Sequence, residues 1–250
     1  MLELNGVHKS FGSTVALRGV DLAVNPGTTT VVIGPSGCGK STVLRLMIGI
    51  LGPDCGTVNF EGSPITPENV RRVRHRMGYV IQDGGLFPHL TARMNLALVA
   101  RRLGWDRRRI EARAEALAAL TRFPMQGLDR YPAQLSGGQC QRVSLMRALM
   151  LEPHVLLLDE PLGALDPMIR AELQADLKQV FQTLRSTVVM VTHDIGEAGF
   201  FSDTILLMRN GAIVQKGTLE TLVHRPEDPF VTRFINAQRS PLESLGKGAS

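Results

Sequence analysis

Residues 34–41 read Gly-Pro-Ser-Gly-Cys-Gly-Lys-Ser, and no other stretch of this 250-residue chain restricts its fold so tightly. The spacing is that of a phosphate-binding loop, which requires a strand before it and a helix after it. Both are predicted. Residues 28–33 form a β-branched run suited to a buried strand, and residues 41–51 carry a helical pattern stopped by Gly52-Pro53. Glycines let the backbone curl closely around phosphates with successive N–H groups pointing inward, and the helix adds its positive N-terminal end. The candidate nucleotide site therefore begins with Gly34, Pro35, Ser36, Gly37, Cys38, Gly39, Lys40, Ser41 and Thr42, with ATP and Mg²⁺ as the expected ligands. Lys40 is expected to reach the β- and γ-phosphates, Ser41 to ligate Mg²⁺, and Thr42 to add a hydroxyl.

The acid partner lies far downstream. Residues 155–160 are an apolar run ending in Asp159 and Glu160. A buried parallel strand places such a pair at the carboxyl edge of the sheet, beside the phosphates. Asp159 is expected to hold Mg²⁺, and Glu160 to orient and polarise the attacking water, since phosphoryl transfer depends mainly on positioning and electrostatics. In isolation the pair reads equally well as a solvated acidic turn; the phosphate loop tips the balance.

Between the two motifs the pattern changes. Residues 2–24, with Gly6, Gly12 and Gly19 as turns, read as short antiparallel strands. Residues 90–151 are helical, including an Ala/Leu/Arg-rich run at 107–122. Strand signals return at 155–159, 187–192 and 204–208, and Asn210-Gly211 reads as a hairpin turn. The expected fold is α/β: a P-loop NTPase (RecA-like) core with an N-terminal antiparallel β subdomain and an inserted α-helical subdomain. The expected boundaries are one domain over 1–240, with core at 1–89 and 152–222 and helical subdomain at 90–151. A C-terminal tail follows at 223–250, holding a short helix at 229–237 and a loose end after Ser240.

Residues 135–139, Leu-Ser-Gly-Gly-Gln, form a helix start in which Ser136 caps the helix and Gln139 completes a capping box. Gly137 and Gly138 expose backbone N–H groups, a second anion-binding end in one chain. A turn before a helix explains the local structure and nothing more. With this motif the sequence resembles the nucleotide-binding subunits of ABC transporters, whose signature is LSGGQ, over nearly its whole length.

The resemblance implies further roles. Phe11 stands where the family stacks an aromatic on adenine. Gln82 resembles the glutamine that approaches Mg²⁺ and contacts the transport subunit. Ala164-Leu165-Asp166 resembles the loop that crosses the dimer interface, and His193 the histidine that contacts the γ-phosphate. The implied catalytic set is thus Glu160, His193, Lys40 and Gln82, with Ser41, Gln82 and Asp159 at the metal. ATP is sandwiched between one subunit's phosphate loop and the other's Ser136–Gln139, with Asp166 nearby, so a second copy is implied. Membrane permease subunits and, indirectly, a substrate-binding protein are implied as well.

Residues 74–106 look most like the ATPases of osmoprotectant importers for glycine betaine, choline or carnitine. Importers of amino acids, polyamines or anions share much of that pattern. Cassettes in DNA repair or translation, and non-catalytic binding modules, are the alternatives. The first usually carry two cassettes or large insertions, and here every expected catalytic position is filled. The sequence departs from the family at Met94, where Glu commonly precedes Asn, and at Gly163, where Ser is commoner.

Composition limits the rest. No apolar stretch reaches the roughly 18–20 residues that span a bilayer, and the first residues do not read as a secretory signal. A cytoplasmic location, peripheral on the inner membrane face through the permease, is expected. Three cysteines without CxxC spacing favour free thiols. Cys38 reads first as a variable small residue. Its place at a positive helix end also predicts a lowered thiol pKa, with inactivation by alkylators and protection by ATP. The net charge of +5 comes largely from arginine clusters at 71–76 and 101–113, read as solvated faces or surfaces near anionic lipid. No aromatic-basic platform is present, so no nucleic-acid partner is expected.

Overall fold

The computed structural model describes residues 1–163 and 165–238. Ala164 and the loose end expected after Ser240 lie outside them. The chain runs β1 (Leu2–Phe11), β2 (Thr14–Val24), β3 (Thr29–Ile33), α1 (Lys40–Met47), β4 (Cys55–Phe60), β5 (Ser63–Pro64), α2 (Val70–Arg74) and β6 (Met77–Val80). Three longer helices follow: α3 (Ala92–Arg102), α4 (Arg107–Leu120) and α5 (Gly137–Leu149). The remaining elements are β7 (Val155–Asp159), α6 (Pro167–Leu184), β8 (Thr187–Val191), α7 (Ile195–Phe201), β9 (Thr204–Arg209), β10 (Ala212–Gly217), α8 (Leu219–His224) and α9 (Pro229–Gln238).

The strands form two sheets. One is antiparallel, ordered β2-β1-β4-β5; the other is ordered β10-β9-β3-β8-β7-β6, parallel from β9 to β6. The short N-terminal strands expected from the sequence are two long ones. Gly6 and Gly19 are not turns: they sit within β1 and β2 where the pairing register slips, between Leu4 and Val7 and between Val7 and Lys9. Bulges of this kind insert an extra residue and break the alternation that marks a strand in sequence. Helix α1 also stops earlier than Gly52-Pro53, because Gly49 follows its C-cap in the left-handed conformation. The Asn210-Gly211 hairpin is present, with Ala212 opposite Arg209.

The parallel strands are covered on both faces, which explains their continuous apolar runs. Alternation within each strand serves two cores. Leu156 and Leu158 of β7 and Val188 and Met190 of β8 pack among the helices α3 to α9. Val155, Leu157, Val189 and Val191 face the other way, against α1 and the antiparallel sheet. Residues expected to begin a tail belong to this body: Val231 and Ile235 of α9 are buried, and Gln215 holds the preceding turn through the Arg225 carbonyl and the Glu227 amide.

This topology fixes the site. Strands β3, β8, β7 and β6 lie side by side and parallel. Their carboxyl ends therefore carry the loop at 34–41, His193, Asp159-Glu160 and Gln82 to one edge, although more than 150 residues separate the first from the second.

Candidate nucleotide-binding and hydrolysis site

The phosphate loop leaves β3 in a conformation that only glycine satisfies at two points. Gly34 has φ of 149° and a Cβ there would lie 2.3 Å from the Met208 carbonyl oxygen; Gly39 has φ of 107° and a Cβ would lie 2.6 Å from that of Ala16. The helix that follows has no side-chain cap and no acidic residue in its first turn. Its first N–H groups and its dipole are thus left for an anion. Lys40 is buried at 6% exposure, and its Nζ donates to the carbonyl oxygens of Gly34 at 2.8 Å and Pro35 at 3.1 Å. A buried ammonium held by neutral carbonyls alone fits a site built for negative charge.

Beside it, the Ser41 hydroxyl donates to Asp159 Oδ1 at 3.0 Å. Burial pushes the Asp159 carboxyl above its usual range, with the Ser41 hydrogen bond and the positive charges of Arg45 and Lys40 pulling the other way. A hydroxyl and a buried carboxylate facing one another are the oxygen donors a hard divalent cation takes, so the pair fits Mg²⁺.

Glu160 follows Asp159 with φ of 45°, an uncommon conformation for a non-glycine residue, anchored by its N–H on the Val191 carbonyl at 2.9 Å. Its Oε2 lies 3.4 Å from Gln82 Nε2 and 3.2 Å from His193 Nδ1. Three residues singled out separately in the sequence thus meet on one oxygen. His193 is positioned from below. Thr192 Oγ1 donates to Glu197 at 2.6 Å and accepts from the Asp194 amide at 3.1 Å, while Asp194 caps α7. Burial raises the pKa of Glu197. No local motif announces this support.

An open cleft of about 530 Å³ joins these groups. Phe11, Ser36, Gly37, Gly39, Lys40, Ser41, Thr42, Gln82, Glu160 and His193 line it, together with Thr14, Val15 and Ala16. The last three carry no motif and were missed; they arrive because the β1–β2 turn folds over the loop. Phe11 is 48% exposed, a half-open aromatic at the cleft's rim.

Ser136, Gly137, Gly138, Gln139 and Asp166 do not line the cleft. Ser136 and Gln139 form the predicted capping box on α5. A Cβ on Gly138 would lie 2.7 Å from Ile169 Cγ2, so this glycine is also needed for α5 to approach α6. Asp166 caps α6, accepting from the Met168 and Ile169 amides at 3.1 Å each.

Cys38 corrects the sequence reading. Its thiol is buried under the loop, and desolvation raises its pKa more than the Lys40 charge lowers it. A rapid reaction with iodoacetamide is therefore expected at exposed Cys55, with Cys38 protected in the native chain whether or not ATP is present. Peptide mapping after partial alkylation checks this; Cys38 labelling at the rate of Cys55 contradicts it.

A parallel sheet with this loop and acid pair is the P-loop NTPase fold. The family model described as ABC transporter matches residues 17–163, and the chain belongs to the ABC transporter family. Among curated relatives it is 41% identical to the choline transport ATP-binding protein OpuBA of Bacillus subtilis (strain 168), over 96% of this chain and 63% of that protein. It is 43% identical to the glycine betaine uptake system ATP-binding protein YehX of Escherichia coli (strain K12), over 94% of this chain and 76% of that one. It is also 42% identical to the sulfate/thiosulfate import ATP-binding protein CysA of Thermosynechococcus vestitus, over 100% and 74%. The chain thus spans less than two thirds of the length of OpuBA. Among solved structures, the dimeric post-hydrolysis state of the ATP-binding cassette MJ0796 with ADP and Pi superposes with a TM-score of 0.78. Identity there is 31%, covering 88% of this chain and 99% of that one.

Proposed function

We propose that this chain binds and hydrolyses ATP as the motor subunit of an ABC importer, and that its solute is a quaternary amine osmoprotectant such as glycine betaine, choline or carnitine. The observation that carries the hydrolytic part is the convergence of Gln82 and His193 on Glu160, one cleft wall away from Lys40 and the Ser41–Asp159 pair. Lys40 and the first N–H groups of α1 bind the β- and γ-phosphates. Ser41, Asp159 and Gln82 would hold Mg²⁺, which when bound would neutralise charge on the phosphate oxygens. Glu160 accepts a hydrogen bond from the attacking water, aligning it and taking its proton as the new P–O bond forms and the bond from the γ-phosphorus to the bridging oxygen breaks, releasing ADP. His193 steadies Glu160 and faces the γ-phosphate, and Phe11 offers its ring to adenine.

The cleft lacks the Ser136–Gln139 helix end, which supports a composite site. A second copy, head to tail, brings its own Ser136, Gly137, Gly138 and Gln139 over this copy's nucleotide, with Asp166 at the seam. The MJ0796 cassette is described as a dimer. Exposed Ile81, Phe87, Met94 and Leu98 offer an apolar surface beside Gln82 for a permease subunit. Among the described residues no helix is long and apolar enough to cross a membrane, so transport requires such partners; a binding protein supplies the solute outside. The chain thereby sits on the cytoplasmic face of the membrane.

The solute rests on residues 74–106 and on OpuBA and YehX. The comparable identity to CysA favours an anion importer as the second reading. Deletion of the gene, followed by uptake of labelled glycine betaine, choline and sulfate, decides: loss of quaternary amine uptake alone is expected. Loss of sulfate uptake alone contradicts the osmoprotectant reading.

A further inference from the structure

Asp54 grips three consecutive residues at the end of β1, and no role assigned so far uses it. Its N–H donates to the His8 carbonyl at 2.9 Å. Its Oδ1 accepts from the Lys9 ammonium at 2.6 Å, and its Oδ2 from the Ser10 amide at 2.7 Å. The ladder between β1 and β4 ends at His8 and Cys55, and the pairing of β1 with β2 slips between Lys9 and Ser10. The Asp54 carboxylate thus takes hold where the sheet stops holding the strand. The hydrogen bond from Lys9, and next that from Ser10, keep this carboxyl below its usual range.

Asp54 is also tied to the helix of the phosphate loop. Ile50 and Leu51 donate their N–H groups to the Arg45 carbonyl in the last turn of α1, at 2.8 and 3.1 Å. Pro53, with its fixed φ, then leads into Asp54. On the far side of the grip lies Phe11. The Lys9 ammonium stands 5.8 Å from the centroid of its ring, within the range at which a cation is drawn to an aromatic face. The Lys9 side chain is only 16% exposed, whereas Phe11 stands half-open at the cleft. A Lys–Asp pair near the surface contributes little stability on its own. What sets this one apart is its place behind the ring that lines the cleft.

We propose that Lys9, fixed by Asp54, is a positioning residue for adenine recognition: its ammonium holds one face of the Phe11 ring, so that the other is presented to the base at a set distance from the phosphate loop. The ring is then ordered before nucleotide arrives, which lowers the cost of stacking. Lys9 does not line the cleft and acts through Phe11. The inference rests on the reading of Phe11 as the platform for the base.

Calorimetric titration of the full chain with ADP and with pyrophosphate tests it, because the two share a diphosphate and only ADP carries a base. K9M is expected to raise Kd for ADP by roughly 3- to 30-fold, the scale of a cation–π contact, and to leave Kd for pyrophosphate within about twofold. In an F11A background the same substitution is expected to shift Kd for ADP by less than about twofold, because the ring it positions is gone. K9R, which keeps the charge, is expected to recover most of the loss. D54N keeps the shape of the side chain but removes the charge that anchors Lys9. It is expected to repeat the base-dependent loss, which keeps the test valid if K9M folds poorly. Equal losses for ADP and pyrophosphate, an ADP loss below about threefold, or a loss that survives in F11A overturns the inference. An unmodified chain that binds pyrophosphate as tightly as ADP contradicts the reading of Phe11 instead. Tighter binding of ADP that K9M leaves untouched contradicts this inference alone.

Discussion

Replacing Glu160 with Gln is expected to leave ATP binding intact while lowering kcat by on the order of 10²–10⁴-fold, the usual contribution of a positioned general base. The amide keeps the shape of the side chain and can still meet Gln82 and His193, but it has no negative charge with which to polarise water. Nucleotide then persists at the interface, and an ATP-bound dimer is expected to accumulate. Turnover assays with size-exclusion chromatography in ATP check both parts. Normal turnover by E160Q removes Glu160 from the mechanism, and loss of ATP binding assigns it a structural role instead.

Lys40→Ala is expected to act one step earlier. The Lys40 ammonium bridges the Gly34 and Pro35 carbonyls and is the buried cation lining the cleft. A hydrogen bond to a charged group contributes roughly 1.5–3 kcal/mol, so Kd for ATP should rise about 10- to 150-fold. Calorimetric titration checks this. A Kd within threefold of the unmodified chain contradicts the phosphate-binding role, while a lost fold, seen by circular dichroism, assigns the two carbonyl contacts to stability. The two substitutions therefore separate binding from chemistry at neighbouring points of one cleft.

Much of this site was legible in the sequence because its parts are local. Residues 34–41 declare a strand, a turn and a helix together, and Asp159-Glu160 closes an apolar run too regular to be a loop. Ser136 and Gln139 declare a helix start through capping chemistry that needs no tertiary context. What stayed illegible depends on contacts across the fold. The bulges at Gly6 and Gly19 hide β1 and β2 from any search for alternation. Thr14, Val15 and Ala16 reach the cleft only because a hairpin folds over it.

The lowered thiol pKa expected at Cys38 fails for the same reason. A helix end is visible in sequence, but the burial that overrides its field is not. Arg147 reads as one more basic residue on a helix until two carbonyls from residues 84 and 85 appear opposite it. Asn95 is a further case. Fully buried, it holds residues 87–91 through four hydrogen bonds, whereas its neighbour Met94, where the sequence departs from the family, is exposed.

The central claim is that each nucleotide site is half of one copy and half of another. ATPase activity measured alongside sedimentation velocity, on the same solutions from nanomolar to micromolar chain, tests it most directly. Specific activity is expected to follow the fraction of dimer formed with ATP, falling towards zero as the chain is diluted to monomer. Undiminished turnover per chain in solutions that sediment only as monomer contradicts the composite site.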